Sequence, residues 1–170
     1  MKCEIIAEIG QNYDGDLDLA VSMIQQAKLA GADVAKFQIF DPSVVFEEIG
    51  NPWWQYNLKS RLGFEDVKLL VDACLSVSIE FSASAFDLER LSWLNELGVT
   101  RVKIASRSIF DSDLVNYACT NFDCVWISTG WWNGAVAPYN FSNARYLHCI
   151  SKYPPSPDEI GLKALHQDWI

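Results

Sequence analysis

Histidine is scarce in this sequence: His148 and His166 are the only two in 170 residues. Neither has a partner at helical or strand spacing that would complete a metal site, so both read as structural and no metal ligand is assigned. Positive charge is scarce as well, with 13 Lys and Arg against 22 Asp and Glu and a net charge of −9. No basic block is present to neutralise successive phosphates, which argues against nucleic acid as a partner. An anionic small molecule stays compatible with this balance, because a local pair of lysines holds it while the surface remains acidic.

The five cysteines (Cys3, Cys74, Cys119, Cys124 and Cys149) form no CxxC pair and no disulfide framework, so reduced thiols are expected. No apolar stretch approaches the roughly 18 residues of a membrane span. The start Met1-Lys2-Cys3-Glu4-Ile5-Ile6 leads into a strand rather than the apolar region of a signal peptide. A soluble cytoplasmic protein without a membrane partner is the expectation. The G-x-G-x-x-G fingerprint is missing after the first strand, which weighs against a dinucleotide fold.

Apolar surface is plentiful. Half the residues are hydrophobic and seven are Trp, enough for one sizeable core, since a domain of about 150 residues hides roughly 70% of its unfolded surface. A single domain over 1–170 is expected. Ile5 to Ile9 reads as strand one. Leu17, Ala20, Val21, Ile24 and Ala27 give the i, i+3, i+4, i+7 face of a helix that stops at Gly31, and strand two follows at 34–40. Residues 41–60 have no clear period and read as a long loop of the kind that is usually functional or mobile. A helix over about 65–75 precedes strand three at 79–82. Asp87 is placed to cap a helix ended by Gly98, and strand four runs 101–105. Asp111 starts a shorter helix, strand five is 124–127, and the crossover 131–145 lacks a helical period. Strand six is expected at 146–150, with Asp158 capping a last helix toward Ile170.

Strands alternating with helices at this spacing predict a parallel α/β architecture, with a (β/α) barrel of TIM type preferred over an open sheet. About six βα units fit the length, so the barrel is expected to be incomplete.

An internal repeat carries the chemistry. Gly31-Ala32-Asp33-Val34-Ala35-Lys36-Phe37 and Gly98-Val99-Thr100-Arg101-Val102-Lys103-Ile104 each place Lys five residues after Gly, at one level of a strand. Side chains alternate along a strand, so Lys36 shares a face with Val34 and Gln38, and Lys103 with Arg101 and Ala105. A buried ammonium is costly unless it meets an anion or a carboxylate. Two readings fit: a site for an anion with two charged ends, with Glu8 as internal counter-charge, or a structural Glu8–Lys36 ion pair. Ser82-Ala83-Ser84, Ser106 and Ser128-Thr129 follow strands directly, at the rim where barrel enzymes place their sites, and favour the first. Trp53-Trp54 and Trp131-Trp132 read equally as a sugar platform, an interface or plain cover.

Six segments then occur in one order: 7–15 (AEIGQNYDG), 35–38 (AKFQ), 81–87 (FSASAFD), 102–106 (VKIAS), 128–130 (STG) and 147–154 (LHCISKYP). In that order and spacing the chain resembles the N-acetylneuraminate (sialic acid) synthase family over nearly its whole length. The resemblance implies condensation of phosphoenolpyruvate with an N-acyl aminosugar, N-acetylmannosamine or its phosphate, to a nonulosonic acid and inorganic phosphate. It further implies catalytic roles for Glu8, Lys36 and Lys103, and a substrate-binding shell of Ser84, Phe86, Ser106, Ser128, Ser151 and Tyr153. Ser84 stands where the family commonly has Thr, Ser151 where it often has Asn, and Ser108 where it often has an acidic residue that meets the sugar. A divalent metal, Mn or Mg, is implied as cofactor. The resemblance puts its histidine ligands on strands beyond the sixth, together with an antifreeze-like domain, so a partner subunit or oligomer completing the barrel is expected. A non-catalytic relative that binds phosphoenolpyruvate or a sugar phosphate is the alternative.

Overall fold

Aspartate begins four of the helices. Asp16 accepts from the Leu19 N–H ahead of α1 (Leu17–Leu29), and Asp41 from the Ser43 N–H ahead of α2 (Pro42–Val45). Asp87 and Asp111 do the same for the Arg90 and Leu114 N–H groups at the starts of α5 (Leu88–Glu96) and α6 (Ser112–Asn121). Each carboxylate satisfies an orphan donor and faces the positive end of the helix dipole. The remaining helices are α3 (Trp54–Lys59) and α4 (Phe64–Ser76), and the strands are β1 (Ile6–Gly10), β2 (Val34–Ile39), β3 (Glu80–Ala85), β4 (Arg101–Ile104), β5 (Cys124–Ser128) and β6 (Ala144–Leu147). The computed structural model describes residues 3–134, 136–152 and 154–161. The expected last helix, with His166, lies outside the described residues, and 157–159 form a short 3-10 turn with Ser156 at its N-cap.

The chain divides into two compact units, Met1–Val99 and Thr100–Ile170. In the first, β1, β2 and β3 lie side by side and parallel, with Glu8 opposite Lys36 and Lys36 opposite Ser82. Alternation gives this sheet two different faces. One carries Glu8, Lys36, Gln38, Ser82 and Ser84. The other carries Ala35, Phe37, Ile39, Phe81 and Ala83, where α1 and α4 pack and Phe37 stacks on Phe81 at 5.5 Å between ring centroids. In the second unit β4, β5 and β6 are also parallel. Val102, Ile104, Val125, Ile127, Ala144 and Tyr146 make its apolar face, all of them buried. Arg101, Lys103, Trp126 and Ser128 share the opposite one, with the Arg101 guanidinium 5.0 Å from the Trp126 ring.

Segment 41–60 is not the loop its pattern suggested, since it holds α2 and α3. What organises it is distant in sequence. Tyr13 donates its hydroxyl hydrogen to the Ser60 carbonyl, the Tyr56 hydroxyl donates to the Gln11 carbonyl at 2.6 Å, and the Gln11 amide donates to the Ser60 hydroxyl at 2.6 Å. Tyr13 is fully buried, and burial raises its hydroxyl pKa well above the ordinary value, so the phenol stays protonated as a donor. Replacing it by Phe would leave the Ser60 carbonyl without this donor. A loss of about 1–3 kcal/mol is expected in urea unfolding; an unchanged midpoint would show that the stitch carries no weight.

Strand six starts earlier than its sequence pattern indicated. Asn143 donates to the Cys119 and Phe122 carbonyls at 2.9 and 2.7 Å, which fixes the entry of the strand. Its far end is set where Thr129 donates both its N–H and its hydroxyl to the Leu147 carbonyl. His148 and Cys149 thus fall beyond the ladder.

Candidate functional site

In the first unit the polar face converges on Lys36. Its residue is 3% exposed, and its ammonium lies 2.7 Å from the Glu8 carboxylate and 3.4 Å from the Ser84 hydroxyl. β1, β2 and β3 supply one residue each, which is what parallel register does to side chains two positions apart. The pair is lopsided, because the Glu8 side chain is 60% exposed. A hydrated carboxylate compensates a buried ammonium incompletely. An ammonium also has three donors, and the contacts among the described residues use two. Phe86 follows β3 and meets Phe40 edge-on at 5.4 Å, forming an aromatic wall after the strands.

Beside that wall lies a charged network that sequence reasoning missed. Arg90 is 8% exposed, 2.5 Å from Glu89 and 3.5 Å from both Asp87 and Asp41, with its guanidinium 4.7 Å from the Trp93 ring. The hydroxyl and N–H of Ser43, then Arg61 and Arg90, hold the Asp41 carboxyl below its ordinary pKa. Both caps follow strands, so the network ties the chain after β2 to the chain after β3.

The second unit gathers Ser106, Gly130 and Ser151. The Gly130 N–H donates to the Ser106 hydroxyl at 3.1 Å. A Cβ at Gly130 would lie 2.6 Å from the Ser151 oxygen and 3.0 Å from that of Ser106, so only glycine admits both hydroxyls. Ser128 is 1% exposed, and its hydroxyl has no hydrogen-bond partner within the described structure. Such an orphan is rare in a finished core. It lies on the Lys103 face of the strands, where Lys103 is half-buried opposite Trp126. Tyr153 lies outside the described residues. An open cleft of about 440 Å³ adjoins this group, lined by Ser106, Arg107, Trp131, Ile150, Ser151 and Lys152. Arg107 and Lys152 were not singled out from the sequence, although each directly follows a serine that was.

The His148 ring places Nε2 2.6 Å from the Ile160 carbonyl, a structural contact. Among the described residues no group of three or more His, Cys, Asp or Glu side chains is placed to hold a metal ion. The residues in hand do not fit the metal that the resemblance implies. No described helix is long and apolar enough to cross a membrane.

Parallel strand–helix units with a polar face of lysines and serines define a class, α/β of the TIM-barrel type. The chain belongs to the NeuB family, whose profile matches residues 23–167. It is 34% identical to the N,N'-diacetyllegionaminic acid synthase of Legionella pneumophila, covering 97% of this chain and 53% of that one. It is 29% identical to human N-acetylneuraminate-9-phosphate synthase, covering 97% and 51%. The solved N-acetylneuraminic acid synthetase of Leptospira borgpetersenii, in complex with citrate, superposes with a TM-score of 0.81 at 30% identity, covering 94% of this chain and 58% of that one. The chain thus spans about half the length of the curated relatives it matches.

Proposed function

We propose that this chain carries the phosphoenolpyruvate-binding part of a cytoplasmic synthase that condenses phosphoenolpyruvate with an N-acyl aminosugar, giving a nonulosonic acid and inorganic phosphate. Family membership supports the reaction class. The observation that carries the site is Lys36, an ammonium buried on a polar sheet face with only a largely hydrated carboxylate and one hydroxyl for compensation. It is the family resemblance that assigns Lys36 and Lys103 to one ligand, where they would offset its phosphate and carboxylate charge as it leaves water. The same resemblance assigns hydrogen bonds to that ligand to Ser84, Ser106, Ser128, Ser151 and Tyr153. Phe86 walls the pocket, and Glu8 is the carboxylate nearest the reacting centre. A carbon–carbon bond forms between the methylene carbon of phosphoenolpyruvate and the sugar aldehyde carbon. Water adds to the resulting cationic carbon, and phosphate leaves. An oligomer or a partner subunit completing the barrel belongs to the same proposal.

Release of inorganic phosphate from phosphoenolpyruvate plus N-acetylmannosamine or its phosphate, with manganese or magnesium added, is the direct test. Release that requires both substrates is the expected outcome. Binding of phosphoenolpyruvate without release, at any protein concentration, would make the chain a non-catalytic or partner-dependent member. Absence of both binding and release would refute the reading.

A further inference from the structure

Asp41 and Asp87 occupy equivalent places. Ile39 lies opposite Ala85 in the ladder between β2 and β3, and each aspartate comes two residues later, at the start of the next helix. Phe40 and Phe86 come one residue later and meet edge-on. The register thus brings two carboxylates to neighbouring places just past the strands, with side chains only 19% and 16% exposed. Like charges so withdrawn from water repel. The Arg90 guanidinium meets both, with Nη2 3.5 Å from Asp41 and Nη1 3.5 Å from Asp87.

Stability alone does not account for this cluster. Arg90 Nε and Asp87 Oδ2 are buried with no hydrogen-bond partner among the described residues, and both bridging contacts are long. A buried ion cluster left so incompletely bonded is weak support for a fold. What it does fix is spacing. Arg90 belongs to α5 and Asp41 to the entry of α2, so their contact ties the chain after β2 to the chain after β3. Just ahead of the tie stand two residues that the proposed reading puts at the ligand. Ser84 has its hydroxyl 3.4 Å from the Lys36 ammonium, and Phe86 directly precedes Asp87.

We propose that Arg90 is a positioning residue of the phosphoenolpyruvate site. By neutralising Asp41 and Asp87 together it keeps the ends of β2 and β3 at one spacing, and with them Ser84 and Phe86 against Lys36. It acts through these neighbours rather than by touching the ligand. The proposal rests on the synthase reading for the identity of that ligand, and it adds to the site a residue outside all six sequence segments that carry the family resemblance.

The test is titration calorimetry of the full chain with phosphoenolpyruvate, on wild type, Arg90→Met, Arg90→Lys and the triple variant Arg90→Met/Asp41→Asn/Asp87→Asn. Met keeps an apolar stem against the Trp93 ring without the charge, and Asn keeps both helix caps without theirs. Arg90→Met is expected to raise the dissociation constant about three- to tenfold, the scale of one misplaced hydrogen bond. Arg90→Lys, a point charge without the fork that spans two carboxylates, should fall between Arg90→Met and wild type. The triple variant should regain most of the affinity, because the repulsion is removed along with the cation. A purely structural role moves a different quantity: partial unfolding lowers the number of sites titrated and leaves the dissociation constant of the folded fraction alone. An unchanged dissociation constant in Arg90→Met would overturn the proposal, and so would a loss that the triple variant fails to recover. Should Arg90→Met not fold, Arg90→Lys decides against wild type, a smaller rise supporting the proposal and equal affinity overturning it. Absence of phosphoenolpyruvate binding by wild type removes the synthase reading and this proposal with it. Binding that Arg90→Met leaves intact removes the positioning role alone.

Discussion

Lys36→Met is expected to cost the chain most of its affinity for phosphoenolpyruvate while leaving its stability nearly unchanged. The two readings of Lys36 make opposite demands on this variant. If the residue serves only as an internal ion pair, the thioether fills the space of the lysine stem, and the buried charge and its desolvation cost disappear. Glu8, 60% exposed, returns to water at little expense. Removing one partner of a buried pair is costly when it strands a buried charge, and here the remaining carboxylate is exposed, so none is stranded. If Lys36 also meets the ligand, one charge-assisted contact is lost, worth about 1.5–3 kcal/mol, or roughly a 10- to 150-fold rise in dissociation constant. Titration calorimetry and thermal unfolding on the same preparation separate the two. Equal affinity in wild type and Lys36→Met would reduce the residue to a structural ion pair. Lys103→Ala is expected to weaken the same ligand in the same experiment.

Much of this was legible before any coordinates. Asp87 and Asp111 announce helix starts, and the matched Gly-to-Lys spacing puts Lys36 and Lys103 on the sheet faces opposite the apolar rows. Pattern reading works there because the signal is local: a cap acts within three residues and a strand alternates with period two. It fails where tertiary partners decide. Residues 41–60 carry no amphipathic period, and α3 is held by hydrogen bonds from Gln11, Tyr13 and Tyr56 between chain segments far apart. Arg90 reads as a polar helix position until Asp41 and Asp87 are seen beside it. The crowding of Ser106 and Ser151 on Gly130 has no sequence signature beyond the glycine itself.

The turn from β1 into α1 gives the second large effect, and it separates two reasons for needing glycine. Gly15 has φ +74°, and a Cβ there would lie 2.4 Å from the Lys59 carbonyl oxygen and 3.1 Å from its carbonyl carbon. Backbone cannot swing aside as the end of a side chain does. Gly31 has φ +89° with nothing within 4 Å of the same atom. Gly31→Ala therefore meets only the left-handed backbone penalty, about 1–2 kcal/mol. Gly15→Ala meets that penalty and must also push α3 away from residues 11–16, undoing the Lys59–Asp14 contact at 2.7 Å and the Tyr13 and Tyr56 hydrogen bonds. A total loss of about 2–5 kcal/mol is expected, the sum of backbone strain and overpacking. For a chain of this size that lowers the thermal midpoint by roughly 4–20 °C. Scanning calorimetry on both variants is the measurement. Equal losses at the two positions would mean that the segment bearing α3 yields without cost, and that the hydrogen bonds from Tyr13 and Tyr56 do not hold it against the strand-one turn.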